Sequence, residues 1–313
     1  MTLPSPFLFA APTRWDEACF AVPAVRALGA AGLPVTVLCP AEQEAFWETL
    51  PGLERIAYGA KTSAKALAAE LAGRFSAAFL WESGLAADAC AKAGIQRRTG
   101  PAGERALEKR LTDPVPPPAP GPIEHRVRHY LRFAEALGLE TRIAALFEPA
   151  ALAVSPVAGS VLLVPDSDFG PSHEWPLERW EELANNLRGN GASLSISTHR
   201  PLGRELAKRL GEAATALDLP AFGDCLPVLA GFERVIAADG SLPHLASHAG
   251  ATCTVLFGPN EPAWKRPLGK RHTVLRRHVE CSPCFVAKCA LDLRCQTELT
   301  VDAVLAAFSS QPK

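Results

Sequence analysis

The chain has 313 residues, 48% of them hydrophobic and 21% charged, with a net charge of −1, the make-up of a globular protein of roughly two domains of about 150 residues each. That charge balance excludes nucleic acid as the main partner, because duplex binding carries a basic excess. No apolar run reaches the roughly 18–20 residues of a membrane span, and residues 1–17 lack a basic start ahead of their apolar stretch, so they do not read as a secretory leader. The expected location is cytoplasmic, where nine cysteines fit free thiols or metal ligands better than a disulfide framework.

Along the chain, strand and helix patterns alternate, as in parallel sheets covered on both faces. Residues 6–10 read as a strand and 16–31 as a helix, with Phe20, Val22, Val25 and Leu28 at helical spacing. A strand at 34–39, helices at 41–50 and 63–72, and a strand at 77–81 follow. Residues 113–122 hold six prolines and read as a loop, and 123–137 read as a helix ended by Gly138. A second series then begins, with strands at 160–164, 193–197, 214–218, 234–237 and 253–257. Helices fall between them at 177–187, 202–210, 226–230 and 243–249. A last helix at 301–308 has the option of crossing back to the first domain. The fold class is therefore α/β: two facing Rossmann-like domains, 1–152 and 153–313, with ligands beyond the carboxyl ends of the strands in the cleft between them.

Three segments carry candidate chemistry where a strand runs into a helix. In RWDEACFAVPAVRAL, Asp16 either caps the helix or acts as a general base. In VPDSDFGPSHEWPLERW, Ser167, Gly170, Ser172 and Pro176 precede a helix N-terminus, where free N–H groups and the helix dipole favour a phosphate, and His173 adds a proton donor or a positive charge. Trp175 and Trp180 read as packing residues. In VIAADGSLPHLASHAGATCTVLFGPNEP, Asp239, Gly240 and Ser241 close a strand and open a helix with His244 in its first turn; a histidine placed there tends to stay neutral.

These segments, in this order, resemble the heptosyltransferases of glycosyltransferase family 9 over nearly the whole chain. WDEACFAVPAVRAL is similar to the family's opening, PDSDFGPSHEWP to its P-G-A…S-K-x-W-P segment, and DGSLPHLA followed by LFGPNEP to its Asp-Ser-Gly-x-x-His-x-Ala run with a strand and FGP. The resemblance implies a GT-B fold and an inverting, metal-independent transfer of heptose from ADP-heptose to an inner-core sugar of lipopolysaccharide. It assigns Asp16 as the base that takes the acceptor proton, Ser167, Ser172 and His173 to the diphosphate, and Asp239 to the donor sugar. Gly240, Ser241 and His244 fall to phosphate oxygens and Glu205 to the nucleotide ribose. Trp15 stands where the family has glycine, and His173 where it has lysine. Another nucleotide sugar, or a degenerate member that only binds sugar nucleotides or glycans, is the alternative. A lipopolysaccharide acceptor leaves room for peripheral contact with the inner membrane.

Cys281, Cys284, Cys289 and Cys295 form a C-x2-C-x4-C-x5-C group, read as plain thiols, a disulfide pair, a structural zinc site or a redox group; a similar stretch occurs in some members of the family. Lys265, Arg266, Lys270, Arg271, Arg276 and Arg277 form a basic stretch just before it, and Arg97, Arg98, Arg105, Lys109 and Arg110 another. Each reads as a solvated surface or as a positive lip for an anionic substrate.

Overall fold

The computed structural model describes residues 6–311; the first five residues of the stretch judged not to be a leader lie outside it. The chain divides between Phe147 and Glu148 into two compact units. The first contains strands β1 (Phe7–Ala10), β2 (Val35–Pro40), β3 (Glu54–Tyr58), β4 (Ala77–Phe79), β5 (Arg97–Pro101) and β6 (Asp113–Val115), in the order β3-β2-β1-β4-β5-β6. The second contains β7 (Val157–Val164), β8 (Ser193–Ser197), β9 (Thr215–Leu217), β10 (Phe232–Ala238), β11 (Thr252–Phe257) and β12 (Thr273–Arg276), in the order β12-β11-β10-β7-β8-β9. Every pairing is parallel. Each unit is thus a doubly wound α/β fold.

Central strands in such sheets are covered on both faces and read as continuous apolar runs. FLFA of β1 and VTVLCP of β2 are buried throughout, as are the last five residues of β7 and of β10. Helix Trp15–Ala30 is buried nearly all round, which is why its sequence shows little polar face. In the second unit Trp175, Trp180, Leu183, Leu187, Ile196, Val301 and Val304 share one core. Trp175 and Trp180 do pack there, their rings 5.4 Å apart and nearly perpendicular, and the Trp175 indole donates to Leu299 O at 3.0 Å.

The structure corrects several readings. Residues 113–115 of the proline-rich stretch form strand β6 rather than loop; it is an edge strand, paired on one side only with β5, where the missing N–H of Pro114 is tolerated. β3, β5 and β12 carry half-exposed, charge-bearing sequences without an apolar run to mark them. Helix Val127–Ala136 starts later than its helical pattern suggests. In the last helix, Val301–Ser310, Val301 and Val304 join the second unit's core. Among the described residues no helix is long and apolar enough to cross a membrane.

Candidate functional site

In an open parallel sheet, neighbouring strands whose connections run off in opposite directions leave a crevice at their carboxyl ends. The strand orders place that crevice between β1 and β4 in the first unit and between β7 and β10 in the second. Asp16 follows β1, the loop of Ser167 follows β7, and Asp239 with Gly240 follows β10. Each of the three segments singled out by sequence therefore ends at a switch point.

Asp16 lies in the first turn of helix Trp15–Ala30 and is fully buried. It is not the N-cap, which is Arg14. Instead its two oxygens accept from Arg14 Nε and Nη2, each at 3.1 Å, in the paired fork geometry that arginine offers a carboxylate. Glu17 beside it accepts from the Tyr130 hydroxyl at 2.6 Å and from Arg126 Nε. Across the crevice, Glu82 beyond β4 accepts from Thr13 N–H at 2.8 Å. The ring of Trp15 packs edge-on against Phe46, with centroids 6.1 Å apart.

In the second unit Asp239 is fully buried. Its Oδ2 lies 3.0 Å from His173 Nδ1 and accepts from Asn260 Nδ2 at 2.6 Å. Its Oδ1 is buried with no hydrogen-bond partner among the described residues. Burial pushes this carboxyl upward from its ordinary value, and His173, Asn260 and Lys265 only partly offset that. Lys265 is itself buried, its amine 5.1 Å from the Phe169 ring centre and 5.0 Å from that of Trp264. Phe169 in turn meets the His173 ring edge-on.

The turn after β7 sends alternate side chains to the helices on either side of it. Asp166 accepts from Leu202 and Gly203 N–H at 2.8 and 2.7 Å, closing the start of helix Pro201–Leu210. Asp168 accepts from the N–H and hydroxyl of Ser241 at 2.7 and 2.6 Å, closing the start of helix Leu242–Ala249. Between them, the Ser167 hydroxyl donates to Asp239 O at 2.6 Å, tying the two loops together. His244 is buried in the first turn of the second of these helices.

Ser167, His173, Asp239, Gly240, Ser241 and His244 thus gather at one crevice. Ser172 is close in sequence but differently engaged. Its N–H donates to Ala287 O and its hydroxyl to Val286 O, while its own carbonyl accepts from Gln296 Nε2 at 3.2 Å. Glu205 is exposed on helix Pro201–Leu210, 3.5 Å from Arg209, outside this network. Asp166, Asp168 and Asn260 join this network although their sequence contexts did not mark them, and Lys265, read in sequence only as one of a basic stretch, is buried beside Phe169.

The cysteine loop is held by the backbone contacts to Ser172 and by Cys284 and Phe285 N–H donating to Pro259 O. All nine cysteines are free thiols. Among the described residues no three His, Cys, Asp or Glu side chains are arranged to hold a metal, so the zinc alternative for Cys281, Cys284, Cys289 and Cys295 is not supported. Cys281 is exposed while Cys295 is buried, and burial, with the neighbouring Cys284, Cys281 and Cys289, raises the Cys295 thiol. Four residues of the basic stretches are spent on structure: Arg276 and Arg277 pair with Glu261 and Glu298, Arg110 with Asp88, and Arg98 donates to Arg110 O and Ile95 O.

Residues 123–294 match the model of glycosyltransferase family 9 (heptosyltransferase). The chain belongs to this family. A lipopolysaccharide heptosyltransferase 1 of Pseudomonas aeruginosa is 31% identical over 118 residues, which is 37% of this chain and 33% of that protein, so the match spans about a third of the relative's length. The solved Escherichia coli ADP-heptose heptosyltransferase II has a TM-score of 0.76 at 19% identity, covering 97% of each chain. A family 9 glycosyltransferase of Veillonella parvula reaches a TM-score of 0.80 at 14% identity, over 99% of this chain and 98% of that one. Both show a shared fold. The family match includes the whole second-unit cluster around Asp239 and begins after the segment of Asp16.

Proposed function

We propose that this chain is an inverting, metal-independent glycosyltransferase that moves heptose from ADP-heptose to an inner-core sugar of lipopolysaccharide at the cytoplasmic face of the inner membrane. The observation that carries this reading is the family match over residues 123–294, which contains the cluster at the β7–β10 switch point. There the donor's diphosphate would meet the N–H and hydroxyl of Ser241, with Gly240 leaving room for close approach. His173 and Lys265 lie alongside as cationic or hydrogen-bonding groups. Asp239 Oδ1, buried without a partner, is an acceptor in need of a donor, and a sugar hydroxyl supplies one.

Chemistry then follows as a single displacement at the anomeric carbon. Asp16 takes the acceptor hydroxyl's proton as the new bond forms, because a carboxylate cannot ionise an alcohol in advance. Arg14 fixes the orientation of that carboxylate. The charge growing on the departing ADP is met by the groups around Ser241 and His173, which are in place before the reaction.

Calorimetric binding of ADP-heptose beside ADP, UDP and GDP, and their sugar conjugates, tests the donor. Preference for another nucleotide sugar overturns heptose while leaving the crevice assigned, and binding of none overturns transfer in favour of a degenerate scaffold. Asp16→Ala is expected to cut transfer by at least ~10²-fold, the usual size of a general-base contribution, with ADP affinity within twofold of wild type. Equal loss of both would remove Asp16 from the role of base.

A further inference from the structure

The crevice of the second unit already holds an anion, and it is part of the chain. Asp168 lays Oδ1 on the Ser241 N–H at 2.7 Å and Oδ2 on the Ser241 hydroxyl at 2.6 Å. Gly240 permits this approach, since a Cβ there would stand 2.8 Å from Asp168 Oδ1. Two carboxylate oxygens on one N–H and one O–H present the same acceptor pattern as two oxygens of a phosphate.

We propose that Asp168 is an affinity- and specificity-determining residue that competes with the donor's diphosphate for Ser241, so that the donor enters by displacing it. The proposal rests on the reading that the diphosphate is held at Ser241. One N–H and one hydroxyl serve one anion at a time, and a carboxylate left in place beside a diphosphate would face like charge at hydrogen-bond range.

The two acids of the turn are not alike in their freedom to leave. Asp166 is buried against Leu202 and Gly203. Asp168 is exposed, while its partner Ser241 is 2% exposed. The backbone between them is held independently, by the Ser167 hydroxyl bonded to Asp239 O and accepting from Phe169 N–H. The Asp168 side chain can therefore swing into water while the turn stays in place. A competing carboxylate weighs most against the ligand of highest charge. That ligand is the free nucleoside diphosphate, whose terminal phosphate carries an extra ionisation with a pKa of about 6 that the sugar ester lacks. Asp168 thus favours release of the product over loss of the donor.

The test is calorimetry with adenosine, ADP and ADP-heptose on wild type, Asp168→Asn and Asp168→Ser. Both variants should bind ADP at least fivefold more tightly, ADP-heptose with a smaller gain, and adenosine within twofold of wild type. ADP binding that is unchanged or weaker in variants with wild-type unfolding midpoints overturns the role of Asp168 and leaves it a helix cap. Wild-type protein that binds none of the three overturns the donor reading instead. A measurement on the wild type alone guards against a variant that fails to fold. ADP, but not adenosine, should move the Ser241 backbone amide resonance as its acceptor changes, and an unmoved resonance at saturating ADP overturns the proposal.

Discussion

Asp239 shows how a buried carboxylate sets a balance between stability and use. One oxygen is shared by His173 and Asn260, and the other has no partner among the described residues. Desolvation outweighs the favourable contacts, so the carboxyl is raised. A carboxyl with a raised folded-state pKa is held more tightly by protons in the folded state than in the unfolded chain. Its contribution to stability is therefore greatest in acid and declines as pH rises above about 4, the ordinary aspartate value. Asp239→Asn is expected to raise the thermal midpoint at pH 7.5, by about 2–4 °C for each kcal/mol recovered, and the gain should shrink toward pH 4. The same variant should lose transfer. A lower midpoint at pH 7.5 would mean that the pairing with His173 outweighs desolvation.

At the scale of elements, the crevices depend on close approach between turns and helix starts. Gly203 opens helix Pro201–Leu210 with its N–H on Asp166, and a Cβ there would lie 1.9 Å from Ser197 O. Backbone cannot yield as a flexible side chain can, so Gly203→Ala should cost about 1–3 kcal/mol, read as a fall in the thermal midpoint; a change within 1 °C would show that β8 relaxes. His272 links β12 to the helix before β11. Its Nδ1 accepts the Cys253 N–H at 3.1 Å and its Nε2 lies 2.9 Å from the Ser247 hydroxyl, so the neutral ring with its proton on Nε2 fits both partners. Burial and Arg271 push its pKa down to about 4. In the unfolded chain the ring takes a proton near pH 6.5, so this stabilisation is complete above pH 6.5 and is lost as pH falls from 6.5 to 4. His272→Gln should flatten part of that decline in pH-dependent melting curves, and curves parallel to wild type across the window would contradict the assignment.

On the scale of the whole molecule, the chain is two units with separate sheets and cores, and the residues assigned to the donor all belong to the second. Binding to the folded state alone stabilises it by mass action, about 2.7 kcal/mol at a ligand concentration of 100 Kd. ADP at that level should slow hydrogen exchange in β7 and β10 and in helix Leu242–Ala249. Protection confined to residues 6–147 would place the nucleotide in the wrong unit.

The sequence by itself determined the α/β class, the central strands and the three strand-to-helix segments, because these are local: an apolar run, a helical period and a turn each leave their own mark. It could not show β6 within a run of prolines or β12 within a run of basic residues, since an edge strand is defined by the neighbour it pairs with. Nor did it separate Asp168 from Asp166, Ser172 from Ser167, or Lys265 from the arginines around it. Which acid closes which helix, which hydroxyl is already taken by the cysteine loop, and which cation is buried among aromatic rings are matters of distance between residues far apart in the chain. The packing of β7 between β10 and β8 brings the two acids of the turn within reach of their separate helices.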